Sequence, residues 1–169
     1  MSAAVLCIGT ELTRGELVNT NAPWLSEALT DGGIEVTAIE TVPDDRAIII
    51  ETLRRLSAGH LAIVCTGGLG PTTDDITSEC VADLLGVPLE RDHASLDTIR
   101  SQMERFGRVM ATSNAKQADF PRGAAVLANA KGTAPGFSVA LGHAQAFFMP
   151  GVPREMKTMF REYVAPALA

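Results

Sequence analysis

Leu61-Ala62-Ile63-Val64-Cys65 is a short uncharged apolar run, and Thr66-Gly67-Gly68-Leu69-Gly70-Pro71-Thr72-Thr73-Asp74-Asp75 follows it without a break. An apolar run of this length bounded by glycines reads as a strand buried on both faces. From Asp75 to Leu85 the pattern turns helical, with Gly86 as the stop. Strand, glycine-rich turn and helix in that order are half of a βαβ unit, so the chain is expected to build an α/β fold, a three-layer α/β/α sandwich around a mostly parallel sheet.

The same alternation extends in both directions. Upstream, Ala4 to Ile8 reads as a first strand, Ala22 to Leu29 as a helix stopped by Gly32-Gly33, Ile34 to Thr41 as a second strand and Asp44 to Leu56 as the next helix. Downstream, Ala94 to Phe106 reads as a helix, and Ala111 to Gly136 as irregular chain with a short strand at Ala125 to Leu127. Phe137 to Leu141 and Ala144 to Met149 flank Gly142-His143 as a hairpin, and Pro153 to Val164 forms a last helix. Neither a repeat nor a linker interrupts the pattern, so residues 1–169 are expected to form one domain. If strand one lies between strands two and three, the order reverses between Gly9-Thr10-Glu11 and Thr66-Gly67-Gly68, and ligands of open parallel sheets bind at such a point.

Composition narrows the function classes. The 169 residues carry a net charge of −6, with 46% apolar and 20% charged residues, which suits a globular protein and disfavours a nucleic-acid surface. The apolar runs are too short to cross a bilayer, and no basic segment precedes an apolar one at Met1-Ser2-Ala3-Ala4, so the expectation is a cytoplasmic protein with no membrane partner. Cys7, Cys65 and Cys80 lack metal-type spacing, and so do His60, His93 and His143. Nucleophile-elbow, dinucleotide and Walker-type signatures are all missing, which disfavours acyl and hydride transfer.

The glycines of Thr66 to Gly70 let successive backbone N–H groups converge on a phosphate near a helix N-terminus, and Thr72 and Thr73 add hydroxyl donors. Asp74 and Asp75 cannot hold a bare phosphate by charge; beside such a nest they suggest a bridging divalent cation. The plainer alternative is a tight turn with Thr73 or Asp74 as the helix cap. Asp44, after Pro43, is likewise either an N-cap or a metal ligand; in the first loop Glu11 is a candidate metal ligand and Arg14 a candidate phosphate partner, against the plainer alternative of a solvated Arg14 beside a helix cap. Asn19, Thr20 or Asn21 caps the helix that follows. Two late loops, Lys131 to Gly136 and Met149 to Glu155, are small-residue turns that let backbone approach a ligand.

Taken together, Ile8-Gly9-Thr10-Glu11-Leu12 with Val18-Asn19-Thr20-Asn21, Thr66 to Asp75, Asn129 to Phe137 and Pro150 to Met156 resemble the amino-terminal domain of the CinA competence/damage-inducible family. That domain belongs to the molybdopterin-binding superfamily of MoaB, MogA and gephyrin. The resemblance implies a pocket lined by Gly9, Thr10, Thr66, Gly67, Gly68, Gly70 and Thr72, together with Gly132, Thr133, Pro135, Gly136, Pro150 and Gly151. It implies Asp75 and Asp44 as acids of the site; position adds Asp74 as a further catalytic acid and Glu11 as a further ligand, beside Asp75 and Asp44, of magnesium, manganese or cobalt, with a monovalent cation such as potassium. The activity implied is hydrolysis of ADP-ribose to AMP and ribose 5-phosphate; MogA-type relatives adenylylate molybdopterin instead, and a nucleotide- or pterin-binding module without chemistry is the third reading. Relatives form dimers or trimers, so a homo-oligomer is expected. Full-length CinA proteins continue into a deamidase domain, and no deamidase activity is expected of residues 1–169.

Overall fold

Alternate residues of the first strand, β1 (Ser2–Ile8), face opposite ways, and both sets are buried: Ala4, Leu6 and Ile8 join one core while Ala3, Val5 and Cys7 join the other. The strand is covered on both faces and sits inside a six-stranded sheet of order β2-β1-β3-β8-β7-β6. The computed structural model describes Met1–Ala169. β2 (Glu35–Val42) and β3 (Ala62–Thr66) both pair parallel to β1, so the order reverses where the sequence places it. β8 (Ala144–Met149) adds parallel to β3; β7 (Gly136–Leu141) and β6 (Ala125–Leu127) continue antiparallel. Leu141 pairs with Ala144 across Gly142-His143, the two-residue hairpin that the sequence predicts.

Helices cover both faces. A single exposed turn, α1 (Thr10–Thr13), follows β1. α3 (Arg46–Gly59) sets Ile49, Leu53 and Leu56 on one face of the sheet, beside Cys80 and Val81 of α4 (Thr77–Leu85). α2 (Asn21–Asp31) sets Ala22, Leu25 and Leu29 on the other, beside Met156 and Met159 of α6 (Pro153–Met159). Both stripes follow the three-to-four-residue spacing of an amphipathic helix. Phe137 and Phe148 stack at 4.6 Å between ring centroids on neighbouring strands, and both are fully buried. No helix is long and apolar enough to cross a membrane.

Several readings need correction. The helix after β2 begins at Arg46 and is capped by Asp45, whose carboxylate accepts from the Ile48 N–H at 3.0 Å; Asp44 is therefore not the cap. The helix after β3 begins at Thr77 rather than Asp75, with no side-chain cap at its start. The stretch read as irregular holds a 3-10 turn over Thr112–Ala118 and a short strand, β5 (Asp119–Pro121). β5 pairs antiparallel with β4 (Leu89–Arg91), a strand too polar and too short for periodicity to reveal, and Arg91 bridges to Asp119 across the pair. α5 (His93–Arg105) packs on this turn. The C-terminal helix is broken by a π turn over Phe160–Val164 before α7 (Ala165–Leu168), and that turn buries Phe160 and Val164.

Candidate functional site

At the carboxyl ends of the parallel strands lies an open cleft of about 940 Å³, within the range of small-molecule sites. The loops after β1, β2, β3 and β8 all contribute to it.

Its floor is the glycine turn. Gly67 has φ 101° and Gly68 φ 71°, and a side chain on Gly67 would collide with the Ile8 carbonyl, so the close approach of β3 to β1 demands glycine there. The Gly67 N–H is spent on the Met149 carbonyl at 3.0 Å, which ties the turn to β8. Thr77 holds the other side: its Oγ1 donates to the Gly67 carbonyl at 2.9 Å and its N–H to the Gly68 carbonyl at 3.2 Å. The N–H groups of Gly68, Leu69 and Gly70 donate to no acceptor within the chain. Three adjacent free donors in a fixed glycine turn are what an anion-binding nest requires.

The acids around the nest are held by turns. Asp75 Oδ2 accepts from the Thr72 N–H at 2.9 Å and from Thr72 Oγ1 at 2.8 Å, while its Oδ1 enters no hydrogen bond. Asp44 Oδ2 accepts from the Thr10 N–H at 2.9 Å. Capping therefore explains neither residue's carboxylate. Lys116 Nζ donates to the carbonyls of Thr72 and Asp75, 2.6 Å each, and thereby braces the acidic turn from the 3-10 segment. Glu155 Oε2 accepts from Asn129 Nδ2 at 2.9 Å, and the same amide donates to the Ala134 carbonyl at 2.9 Å, which joins the two late loops. No three His, Cys, Asp or Glu side chains are grouped as a ready metal cage. A cation that shares its coordination with ligand phosphates needs only one or two carboxylates, and the unused oxygens of Asp75 and Asp44 are the ones this cleft could offer it.

Of the residues that the sequence singles out, Gly9, Glu11, Asp44, Thr66, Gly67, Gly68, Gly70, Thr72, Asp74, Asp75, Thr133, Pro150 and Gly151 line this cleft. Thr10 does not; it is turned onto Asp44. Gly132 and Pro135 line a neighbouring cavity of about 380 Å³, with Thr133 shared between the two. Gly136 lines neither, and its missing side chain admits the Phe148 carbonyl of β8 instead. Sequence reasoning missed Lys116, Gln117 and Glu155 as site residues. Glu155 lies inside a quoted loop, but Lys116 and Gln117 belong to the stretch read as irregular and carry no local signal.

Three comparisons place this architecture among known proteins. Residues 4–169 match the family model described as "Probable molybdopterin binding domain", and the chain belongs to that family. Within it the chain is CinA-like: it is 45% identical over 166 residues to the CinA-like protein of Anaeromyxobacter sp. (strain K), an alignment covering 98% of this chain and 41% of that protein. The chain thus spans about two fifths of the length of the curated relatives it matches. The crystal structure of CinA from Thermoplasma acidophilum, a protein of unknown function, superposes with a TM-score of 0.89 at 33% identity, covering 98% of this chain and 96% of that one. The molybdopterin biosynthesis enzyme MoaB of Thermus thermophilus superposes at 0.65 with 21% identity, covering 99% and 91%, which shows a shared fold.

Proposed function

We propose that the cleft binds a pterin or nucleotide through its phosphates, together with a divalent cation. The observation that carries this reading is the pairing of the free Gly68-Leu69-Gly70 donors with a lining that holds six carboxylates, Glu11, Glu16, Asp44, Asp74, Asp75 and Glu155, and no lysine or arginine. Each charge-assisted hydrogen bond from the nest contributes roughly 1.5–3 kcal/mol. A like-charge contact at ~6 Å costs roughly 3 kcal/mol at an effective dielectric constant of ~20, so two or three such contacts cancel the nest. A phosphate is therefore expected to enter this cleft together with a cation.

When bound, a divalent cation neutralises phosphate charge and polarises a phosphoanhydride. The chain's own part is to offer Asp75 and Asp44 oxygens for it, to cradle phosphate oxygens on the nest and to hold the acidic turn through Lys116. Membership of the molybdopterin-binding family supports a pterin phosphate as ligand. The adjoining cavity behind Thr133 supports nucleotidyl transfer to a pterin, a reaction that needs room for two ligands. Hydrolysis of ADP-ribose-type phosphoanhydrides, to AMP and ribose 5-phosphate, uses the same nest and cation but only the first cleft.

One experiment separates these readings. The protein is incubated with magnesium, manganese or cobalt plus potassium, once with ADP-ribose and once with ATP and a pterin phosphate, and nucleotide products are resolved by chromatography. AMP from ADP-ribose assigns the hydrolase, and an adenylylated pterin assigns the transferase. Metal-dependent calorimetric binding with neither product assigns a binding module. Binding of phosphate ligands that is unchanged by chelator defeats the cation reading altogether.

A further inference from the structure

We infer that one end of the cleft, between Leu17–Asn21 and Gly151–Val152, is the seat of the ligand's planar nitrogen heterocycle, and that Asn21 reads an N–H on that ring. The inference rests on the phosphate reading of the nest and adds which part of the ligand discriminates.

Two observations converge on this end. Leu17, Val18 and Val152 all line the cleft, and they remain 57%, 79% and 53% exposed, in a lining otherwise made largely of glycines, threonines and acids. Large apolar side chains held at the mouth of a polar cleft gain most from an aromatic face, because covering them removes apolar area from water. Below them Asn21, only 8% exposed, also lines the cleft, and its Oδ1 is buried without a hydrogen-bond partner. Its amide cannot turn over to repair this. Nδ2 donates to the Gly151 carbonyl at 2.8 Å, and a carbonyl only accepts, so Oδ1 is held as an acceptor that needs a donor.

The position fits a ring joined to phosphates. A Cβ placed on Gly151 would lie 3.6 Å from the Gly67 Cα, so the loop that Asn21 holds abuts the nest. Asn19 Oδ1 accepts from the Ala22 N–H at 3.1 Å in the first turn of α2, and Asn21 takes no part in that bond. Adenine presents an exocyclic N–H₂, and guanine and pterin share a 2-amino-oxo edge with both a ring N–H and an amino group. Each of these carries an N–H of the kind that Asn21 Oδ1 lacks; pyrophosphate carries none.

The test is calorimetry with manganese and three probes: pyrophosphate, ADP and GDP, the last carrying the pterin-like edge. The wild type is expected to bind at least one nucleotide ~10-fold or more tightly than pyrophosphate, and the tighter one names the ring edge that is read. Leu17→Ala with Val18→Ala, an exposed pair whose loss leaves the core intact, is expected to cut that advantage ~3- to 10-fold while pyrophosphate affinity holds; Asn21→Ala, which also frees the Gly151 loop, is expected to cut the ratio of nucleotide to pyrophosphate affinity by a similar factor. Nucleotides that bind no tighter than pyrophosphate overturn the inference and leave the nest standing. Variants that weaken pyrophosphate equally also overturn it, since the end would then only shape the nest. If no probe binds, the phosphate reading and this inference fall together.

Discussion

Thr10 and Asp44 hold each other reciprocally: the Thr10 N–H donates to Asp44 Oδ2 at 2.9 Å, and the Asp44 N–H donates to Thr10 Oγ1 at 3.0 Å. The pair joins the loop after β1 to the loop after β2, so one carboxylate oxygen is oriented by structure while the other stays available. Asp45, one residue on, does the capping. The two neighbours should therefore separate in experiment. Asp45→Ala removes a cap and is expected to cost about 1 kcal/mol in urea unfolding with metal-dependent ligand binding kept. Asp44→Ala is expected to cost a similar ~1 kcal/mol for the lost hydrogen bond and to weaken metal-dependent binding at least ~10-fold. Equal binding losses in both would remove Asp44 from the site.

Lys116 is the brace on the acidic turn, and replacing it tests whether that turn must be held. Lys116→Met is expected to lower Tm by roughly 2–4 °C, as loss of ~1 kcal/mol does in a chain of this size. Because the carbonyls of Thr72 and Asp75 lose their shared donor, phosphate affinity should fall several-fold, and Lys116→Arg should recover part of it. An unchanged affinity alongside the lower Tm would make Lys116 purely structural.

Two glycines separate backbone conformation from close approach. Gly33 has φ 78° with open space around the missing side chain, so Gly33→Ala is expected to cost only the left-handed strain, about 1–2 kcal/mol. Gly67→Ala carries the same strain and also drives a methyl into the Ile8 carbonyl. It should therefore be clearly more destabilising than Gly33→Ala and should displace the nest, with loss of phosphate binding. Thermal scans and calorimetry on the two variants make the comparison directly.

The cysteines give a pH prediction. Burial pushes the Cys65 thiol well up, raises Cys7, and pushes Cys80 up to about 11. A thiol whose pKa is raised by folding binds its proton more tightly in the native state. Its contribution is complete below the unfolded value of about 8.5 and declines as pH rises from there towards the folded one. Unfolding free energy should accordingly fall between about pH 8.5 and 11. Iodoacetamide at pH 8 should label none of the three cysteines until denaturant is added, and rapid labelling of the folded protein would contradict their burial.

The strand order around β1 enters the sequence reading only as a condition, which the sheet meets, whereas the hairpin at Gly142-His143, the amphipathic helices and the glycine turn are legible outright. In each of these the signal is local: apolar period, glycine placement and strand length act within a few residues of one another. It also placed the acids near the nest, because loops after parallel strands share one sheet edge whatever their side chains do. Which of those acids are free is settled by long-range contacts. Asp44 and Asp45 are the same residue type at adjacent positions, and what separates them is a partner 34 residues away, Thr10, in the loop after the neighbouring strand. The brace from Lys116 spans 41 to 44 residues of sequence, and β4 pairs with β5 although neither is apolar enough to announce itself. Such contacts form between segments with no pattern of their own, so no window of sequence contains both partners, and the folded sheet has to exist before they meet.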